Sequence, residues 1–243
     1  MRILALIGCL VLALPLAPAR AAAATATVVS IQFDDGNADT YAALAVLRAH
    51  GAKATFYVNT GVLDTPGHLT WAQLADLAAA GNEITGHGVD HLNLKKMKPD
   101  PLRHQVCDDR AALVARGYPA LSFAYPFGAF DDAVKQVVAS CGYTSGRGVS
   151  GVNGRGVFAE TIPPADPYAT RTPANVKSGT TLATVRSFVT DAEQHGGGWV
   201  QLVVHHLCDR CDAYSMTVSD FTALVEWLAA RGSVIETTAE VMS

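Results

Sequence analysis

Hydrophobic and polar positions along the chain alternate between two periods, and the switches between them mark the elements. Val28 to Phe33 is a short β-branched run that ends in Asp34-Asp35-Gly36. Ala38 to His50 spaces its alanines and leucines as a helix does, with Gly51 as its stop. Ala54 to Val58 is a second strand. Thr70 is the N-cap of a helix that runs to about Ala80, before Gly81. Glu83 to Thr85 is a short strand leading into Gly86-His87. Pro101 to Arg116 then reads as helix, Leu121 to Tyr125 as strand, Asp131 to Ser140 as helix and Tyr143 to Ser145 as extended chain. Gly146 to Lys177 is rich in Gly, Pro and Thr and is expected to form one long loop region, of the kind that is usually functional or mobile. The pattern resumes with a helix over Leu182 to Gln194, a strand over Trp199 to Val204, a helix over Ser219 to Arg231 and a last strand at Val234-Ile235.

Strands alternating with helices at this spacing imply a parallel sheet, either open or closed into a barrel. About seven strands are present, one fewer than the eight-fold barrel requires. In both architectures the active site lies beyond the carboxyl ends of the strands. Reactive side chains should therefore follow strands, and they do. Asp34 and Asp35 follow the first, His87 and His91 the third, Pro126-Phe127-Gly128 the fourth, and His205 and His206 end the sixth.

Composition narrows the class. About half of the 243 residues are hydrophobic and 16% are charged, which suits a substantial core and not a disordered chain. No internal repeat or domain boundary is visible. A formal net charge of −4 without a basic cluster leaves no electrostatic footprint for nucleic acid. The first residues read as a targeting segment: Arg2, then the apolar stretch Ile3 to Leu16, then Ala19-Arg20-Ala21, which fits the small-x-small rule for cleavage. That stretch is short for a transmembrane helix and no stop-transfer pattern follows it. Residues 1–24 are thus expected to be a signal peptide and 25–243 a single secreted domain with no stable membrane anchor, its mature start falling between Ala22 and Thr25. Leu6-Ile7-Gly8-Cys9 loosely resembles a lipobox, the alternative at this end. Beyond Cys9 the cysteines are Cys107, Cys141, Cys208 and Cys211, and an even count in an exported chain reads as two disulfides. Cys107–Cys141 with a local Cys208–Cys211 is the expected pairing, set against a zinc or redox role for Cys208-x-x-Cys211 beside His205 and His206.

Two histidines and a carboxylate are a natural ligand set for zinc that leaves positions open for water and substrate. His87-x-x-x-His91 has the spacing that puts both imidazoles on one face of a helical turn, although histidines so spaced are more often ordinary surface residues. Asp34 and Asp35, adjacent at a strand end, point in different directions, so that one can hold a metal while the other faces a substrate as base. Asp-Gly is equally a common turn dipeptide.

Taken together, Phe33-Asp34-Asp35-Gly36, His87-Gly88-Val89-Asp90-His91, Tyr125-Pro126-Phe127-Gly128 and Val203-Val204-His205 resemble, in order, the motifs of the polysaccharide deacetylases (carbohydrate esterase family four). The resemblance runs from about Val28 to Ile235. It implies an α/β fold, an irregular (β/α) barrel with about seven parallel strands, in agreement with the strand count. It implies that Asp35, His87 and His91 bind a divalent metal, usually zinc and sometimes cobalt or another transition metal. It makes Asp34 the general base and His205 the general acid. In the turn opened by Tyr125, the backbone N–H of Phe127 would hold the oxyanion. Val203, two residues before His205 on the same strand face, is expected to line a pocket for the acetyl methyl, and His206 to have a structural or rim role. The implied partner is an acetylated polysaccharide or oligosaccharide.

The chain also departs from the family. Many members open the third motif with an arginine that orients the catalytic aspartate, and Ala124 stands there. Arg147, near the end of the fifth strand, and Arg171, in the long loop, are candidates to replace it, against a plain reading of both as surface charges. The Asp-to-Trp motif often found before the last histidine is not recognisable. Gly88 occupies the place where Ser or Thr commonly follows the first histidine. Trp199 and Trp227 fall in apolar stretches and read as core, whereas Trp71 begins a helix where it could stack on a sugar. The G-x-G-x-x-G string Gly146 to Gly151 has no helix after it and is not a dinucleotide loop. Three functions remain: N-deacetylation of chitin-like, peptidoglycan or poly-N-acetylhexosamine chains; O-acetyl esterase action on xylan; or metal-dependent carbohydrate recognition without catalysis. Both aspartates and all three motif histidines are retained, which favours an enzyme.

Overall fold

The computed structural model describes residues 26–243. The signal peptide expected over residues 1–24, its cleavage point and the lipobox at Cys9 lie outside the described residues. In chain order, β1 (Thr27–Phe33) leads through a 3₁₀ turn (Ala38–Ala42) to α1 (Ala43–Ala49), and β2 (Ala54–Val58) to α2 (Trp71–Ala79). β3 (Glu83–Gly86) leads to a helical stretch made of α3 (Pro99–Arg103), a π-helical turn (His104–Asp108) and α4 (Asp109–Ala115). β4 (Ser122–Ala124) precedes α5 (Asp132–Ser140); β5 (Ser145–Gly151) and β6 (Thr170–Thr172) precede α6 (Leu182–Gln194). β7 (Gly198–Val204) is followed by a small parallel pair, β8 (His206–Leu207) and β9 (Ser215–Met216), then α7 (Val218–Ala230), β10 (Val234–Ile235) and α8 (Thr238–Val241).

Seven strands run parallel in the order β7-β1-β2-β3-β4-β5-β6, while β10 pairs with the start of β1. Side chains alternate across each strand. On β1, Val29, Ile31 and Phe33 join the apolar layer under the helices, and Ser30, Gln32 and Asp34 take the other face. Phe33 stacks on Phe56 at 4.8 Å and meets Phe221 of α7 edge-on at 5.5 Å. Each such side chain, fully buried, contributes about 1.5–3 kcal/mol. The barrel interior is polar, and its groups pair with one another: Gln32 donates to Gln201 at 2.8 Å and to Thr238 of α8 at 3.0 Å, and the Tyr57 hydroxyl donates to Thr238 at 2.9 Å.

Among the described residues no strand ladder joins β6 to β7, so the barrel is nearly rather than fully closed. Separate links bridge this seam. Glu160 and Trp199 exchange backbone hydrogen bonds of 2.9 and 2.8 Å. Gln201 Nε2 donates to Thr170 Oγ1 at 3.2 Å and to the Arg171 carbonyl at 2.9 Å, and Val176 N–H donates to the Val203 carbonyl at 3.0 Å. Both expected disulfides are present: Cys107–Cys141 ties the π-helical turn to the end of α5, and Cys208–Cys211 closes the loop after β8.

The α/β barrel with seven parallel strands agrees with expectation, and several boundaries do not. Gly146 to Lys177 is not one loop. It contains most of β5 and all of β6, whose Gly-, Ser- and Thr-rich sequences give no apolar alternation. The helix expected from Ala38 begins as a 3₁₀ turn, and the one expected from Pro101 begins at Pro99 and contains the π-helical turn. Trp199 is fully buried. Trp71 lies under the Arg116 guanidinium at 4.1 Å and beside Tyr118, so its ring is occupied within the chain.

Candidate active site

The strand registers bring the rim together. Phe33 pairs with Val204 and Phe56, Val58 with Gly86, Gly86 with Phe123, and Ala124 with Arg147. Residues one step beyond these pairs therefore share one end of the barrel. Asp34, Asp35, His87, His91, Tyr125, Phe127, Val149, Asn175, His205 and Tyr214 line a cleft of about 360 Å³ there.

Asp35, His87 and His91 converge. The Nε2 atoms of His87 and His91 each lie 3.3 Å from Asp35 Oδ1. That oxygen is buried and accepts no hydrogen bond, a condition that is costly unless a ligand fills the gap. His87 Nδ1 sits 2.7 Å from the Ala124 carbonyl, which holds the proton on Nδ1 and leaves the Nε2 lone pair facing Asp35. This donor set fits a divalent cation. The helical turn expected for His87-x-x-x-His91 is absent. The segment is an irregular loop in which Gly88 has φ +84° and His91 φ +52°. A Ser or Thr side chain at Gly88 would be strained in that conformation, which accounts for the glycine. Asn59 Nδ2 donates to the His87 and Gly88 carbonyls at 2.6 and 3.1 Å. Gln105, in the π-helical turn, accepts from Asp90 N–H at 2.9 Å, and buried Asp109 accepts from Gly88 N–H at 3.1 Å.

Asp34 is buried to 1% exposure, and its partner is Arg147, the third residue of β5, whose Nη2 donates to Asp34 Oδ1. Of the two candidate arginines, Arg147 is the one that meets the aspartate. Arg171 pairs instead with Glu160 at the seam, with bonds of 2.6 and 2.9 Å. His205 Nε2 lies 3.9 Å from Asp34 Oδ2. His206 points elsewhere, its Nδ1 2.8 Å from Asp39 Oδ2, in keeping with a rim role.

Facing charges set the protonation states. Burial acts to raise the Asp34 carboxyl, but Arg147, His87 and His205 outweigh it and hold the group below the usual carboxylate range. Asp35 is likewise held low against burial, by His87 first and the other histidines after it. For His87, burial is outweighed by Asp35 and Asp34, and its imidazole is raised. Burial dominates at His91 and His205 and lowers both. Beneath the loop, Asp109 is pushed up to about 6 by burial, against its bonds to Thr60, Tyr143 and Gly88.

The remaining expected residues divide. Phe127 stands at the cleft mouth, the residue 63% exposed and its ring 4.5 Å from that of His91, on a backbone at φ +60°. Asp35, His91 and Phe127 all have positive φ, a concentration of strain typical of functional sites. Tyr125 offers only its ring, because its hydroxyl donates to the Tyr168 carbonyl at 2.8 Å. Val203 does not line the cleft. It is buried, and the apolar wall comes from Val149 and Tyr214. Asn59, Gln105, Asp109, Val149, Asn175 and Tyr214 were not anticipated. Asp109 alone left a trace, as a polar residue within the apolar stripe Leu102, Val106, Leu113.

The sequence profile of a family described as polysaccharide deacetylase matches residues 21–146. The chain belongs to the polysaccharide deacetylase family. YxkH of Bacillus subtilis (strain 168), which bears the family's name, is 29% identical over 120 residues, covering 49% of this chain and 43% of that protein. The chain spans under half the length of the curated relatives it matches. Among solved structures, the fold is shared with peptidoglycan deacetylase PdaC from Bacillus subtilis (16% identity, TM-score 0.57, covering 89% of this chain and 90% of that one). It is also shared with a family 4 carbohydrate esterase from Streptomyces lividans in complex with acetate (16% identity, TM-score 0.58, covering 87% and 91%).

Proposed function

We propose that the chain is a secreted, metal-dependent hydrolase that removes acetyl groups from N-acetylated sugars of a polysaccharide, whether chitin-, peptidoglycan- or poly-N-acetylhexosamine-like. The carrying observation is that the convergent Asp35–His87–His91 donor set, whose Asp35 Oδ1 accepts no hydrogen bond, shares one cleft with buried Asp34 and with His205. Secretion rests on the signal-like segment ahead of the domain, and two disulfides suit an oxidising compartment.

A divalent cation held by Asp35, His87 and His91, with zinc the expected one, would polarise the acetyl carbonyl and make a water more acidic. The chain's own groups handle the proton. Asp34, kept ionised and oriented by Arg147, accepts it at a carboxylate oxygen from the attacking water. His205, held neutral at rest by burial, has Nε2 3.9 Å from Asp34 Oδ2, a short path for that proton. Nε2 then delivers it to the sugar nitrogen as the C–N bond breaks, and acetate and a free amine result. The N–H of Phe127 stabilises the oxygen on which charge gathers.

Acetate release from a panel of acetylated glycans, before and after chelation and with zinc restored, tests this reading. Loss on chelation and recovery with zinc are expected, with amide-linked acetyl groups as substrates. Unchanged activity in verified metal-free protein would sink the metal mechanism, and release from acetylated xylan alone would make the enzyme an O-acetyl esterase.

A further inference from the structure

The chemistry above leaves two polar side chains in the cleft without a task, Asn175 and Tyr214. Asn175 follows β6, and its Oδ1 is buried without a hydrogen-bond partner. Tyr214 is 37% exposed, its ring lies 5.1 Å from His205, and its hydroxyl bonds to no other group among the described residues. The backbone there is built to hold that ring. Tyr214 N–H donates to Asp212 Oδ1 at 2.8 Å, its carbonyl accepts from His206 N–H at 3.2 Å, and Cys208–Cys211 closes the same loop. Lys177 Nζ stands over the ring at 5.2 Å. With His205 and Lys177 both packed against the ring, its hydroxyl edge is the part left to meet a ligand. On the His91 side of the cleft stands the exposed Phe127 ring, with exposed Leu92 next to His91 in sequence.

An apolar face on one side and unpaired hydrogen-bonding groups on the other match a pyranose, which has C–H faces and a rim of hydroxyls. We propose that Tyr214 and Asn175 bind hydroxyls of the sugar ring that carries the acetyl group, while Phe127 packs on its C–H face. This rests on the deacetylase reading and extends it from the acetyl group to the ring bearing it. The loop closed by Cys208–Cys211 is then a specificity element.

The test compares kcat/KM for an N-acetylated oligosaccharide with that for 4-nitrophenyl acetate, which has no sugar. In Tyr214→Ala the oligosaccharide-to-ester ratio should fall about tenfold, chiefly through KM, the equivalent of one aromatic or polar contact. Asn175→Ala should lower it in the same sense. Tyr214→Phe should show an intermediate loss, because only the hydroxyl contact is removed. Far-ultraviolet circular dichroism would confirm that the variants fold. A ratio unchanged in both alanine variants, with normal oligosaccharide turnover by the parent chain, would overturn the sugar-binding assignment and leave the deacetylase reading standing. A parent chain that cleaves the ester but no glycan would overturn both.

Discussion

Arg147 and Arg171 present the same chemistry in two settings. Each guanidinium binds a buried carboxylate, Asp34 in one case and Glu160 in the other. Arg147 is itself buried to 1% exposure and its partner lines the cleft, whereas Arg171 is 35% exposed and its partner sits where β6 approaches β7. Two isolated buried charges are tolerable only as a pair, and burial of the pair gives little net stability. The first pair therefore makes sense as an arrangement kept for what Asp34 does. The second, half in solvent and bonded to backbone as well, makes sense as a fastening.

The largest effect should come from Arg147→Ala, which strands a buried carboxylate. A loss of about 3–5 kcal/mol in urea unfolding and no measurable deacetylation are expected. A stable, active variant would erase the difference between the two arginines. Next, removing both charges with Arg147→Met and Asp34→Leu together should restore much of that stability, because apolar replacement of a buried pair is often neutral, while activity stays absent. Recovered activity would take Asp34 out of the reaction. Arg171→Ala should cost less, about 1–2 kcal/mol, because Thr161 N–H and Arg171's own backbone N–H still serve Glu160. Turnover should stay within about threefold of the parent, under 1 kcal/mol of barrier.

The smallest effect is in pH dependence. Asp34 and Glu160 are both held below their ordinary values of 3.8 and 4.5. For a lowered carboxyl the stabilisation is fully present above the unfolded value and is lost as pH falls through the folded one. Unfolding free energy should therefore decline below about pH 4.5 in the parent, and less steeply in Arg171→Ala. Parallel curves for parent and variant would mean that the seam pair contributes nothing through its charge.

Much of this site could be read from the sequence because its residues follow strands that alternate clearly. β1 and β7 are the strands whose ends place Asp34, Asp35 and His205. The motif resemblance marks His87 and His91 as ligands, but the geometry that their spacing implies is incorrect. Spacing suggested a helical face, yet the rings converge through a loop with two positive-φ residues, held by Asn59, Gln105 and Asp109 from other elements. No local pattern encodes such long-range clamps. Arg147 could be named only as one of two candidates, since Ser145-Gly146-Arg147-Gly148 has no apolar alternation to reveal β5. Tyr214 was hidden differently. Its position depends on a disulfide-closed loop and a two-residue parallel ladder, neither of which has a hydrophobic signature.

The open seam between β6 and β7 makes the barrel a split collar rather than a ring. Six of its seven joints are strand ladders, and the longest, β1 to β7, runs in unbroken register from Thr27–Gly198 to Phe33–Val204. The seventh is held by a few fasteners, and the two lips of the cleft stand on either side of it, Asn175 beyond β6 and His205 beyond β7. A collar flexes at its split. The Val176 amide should therefore exchange with deuterium well before that of Ile31, because it can open without unzipping any ladder.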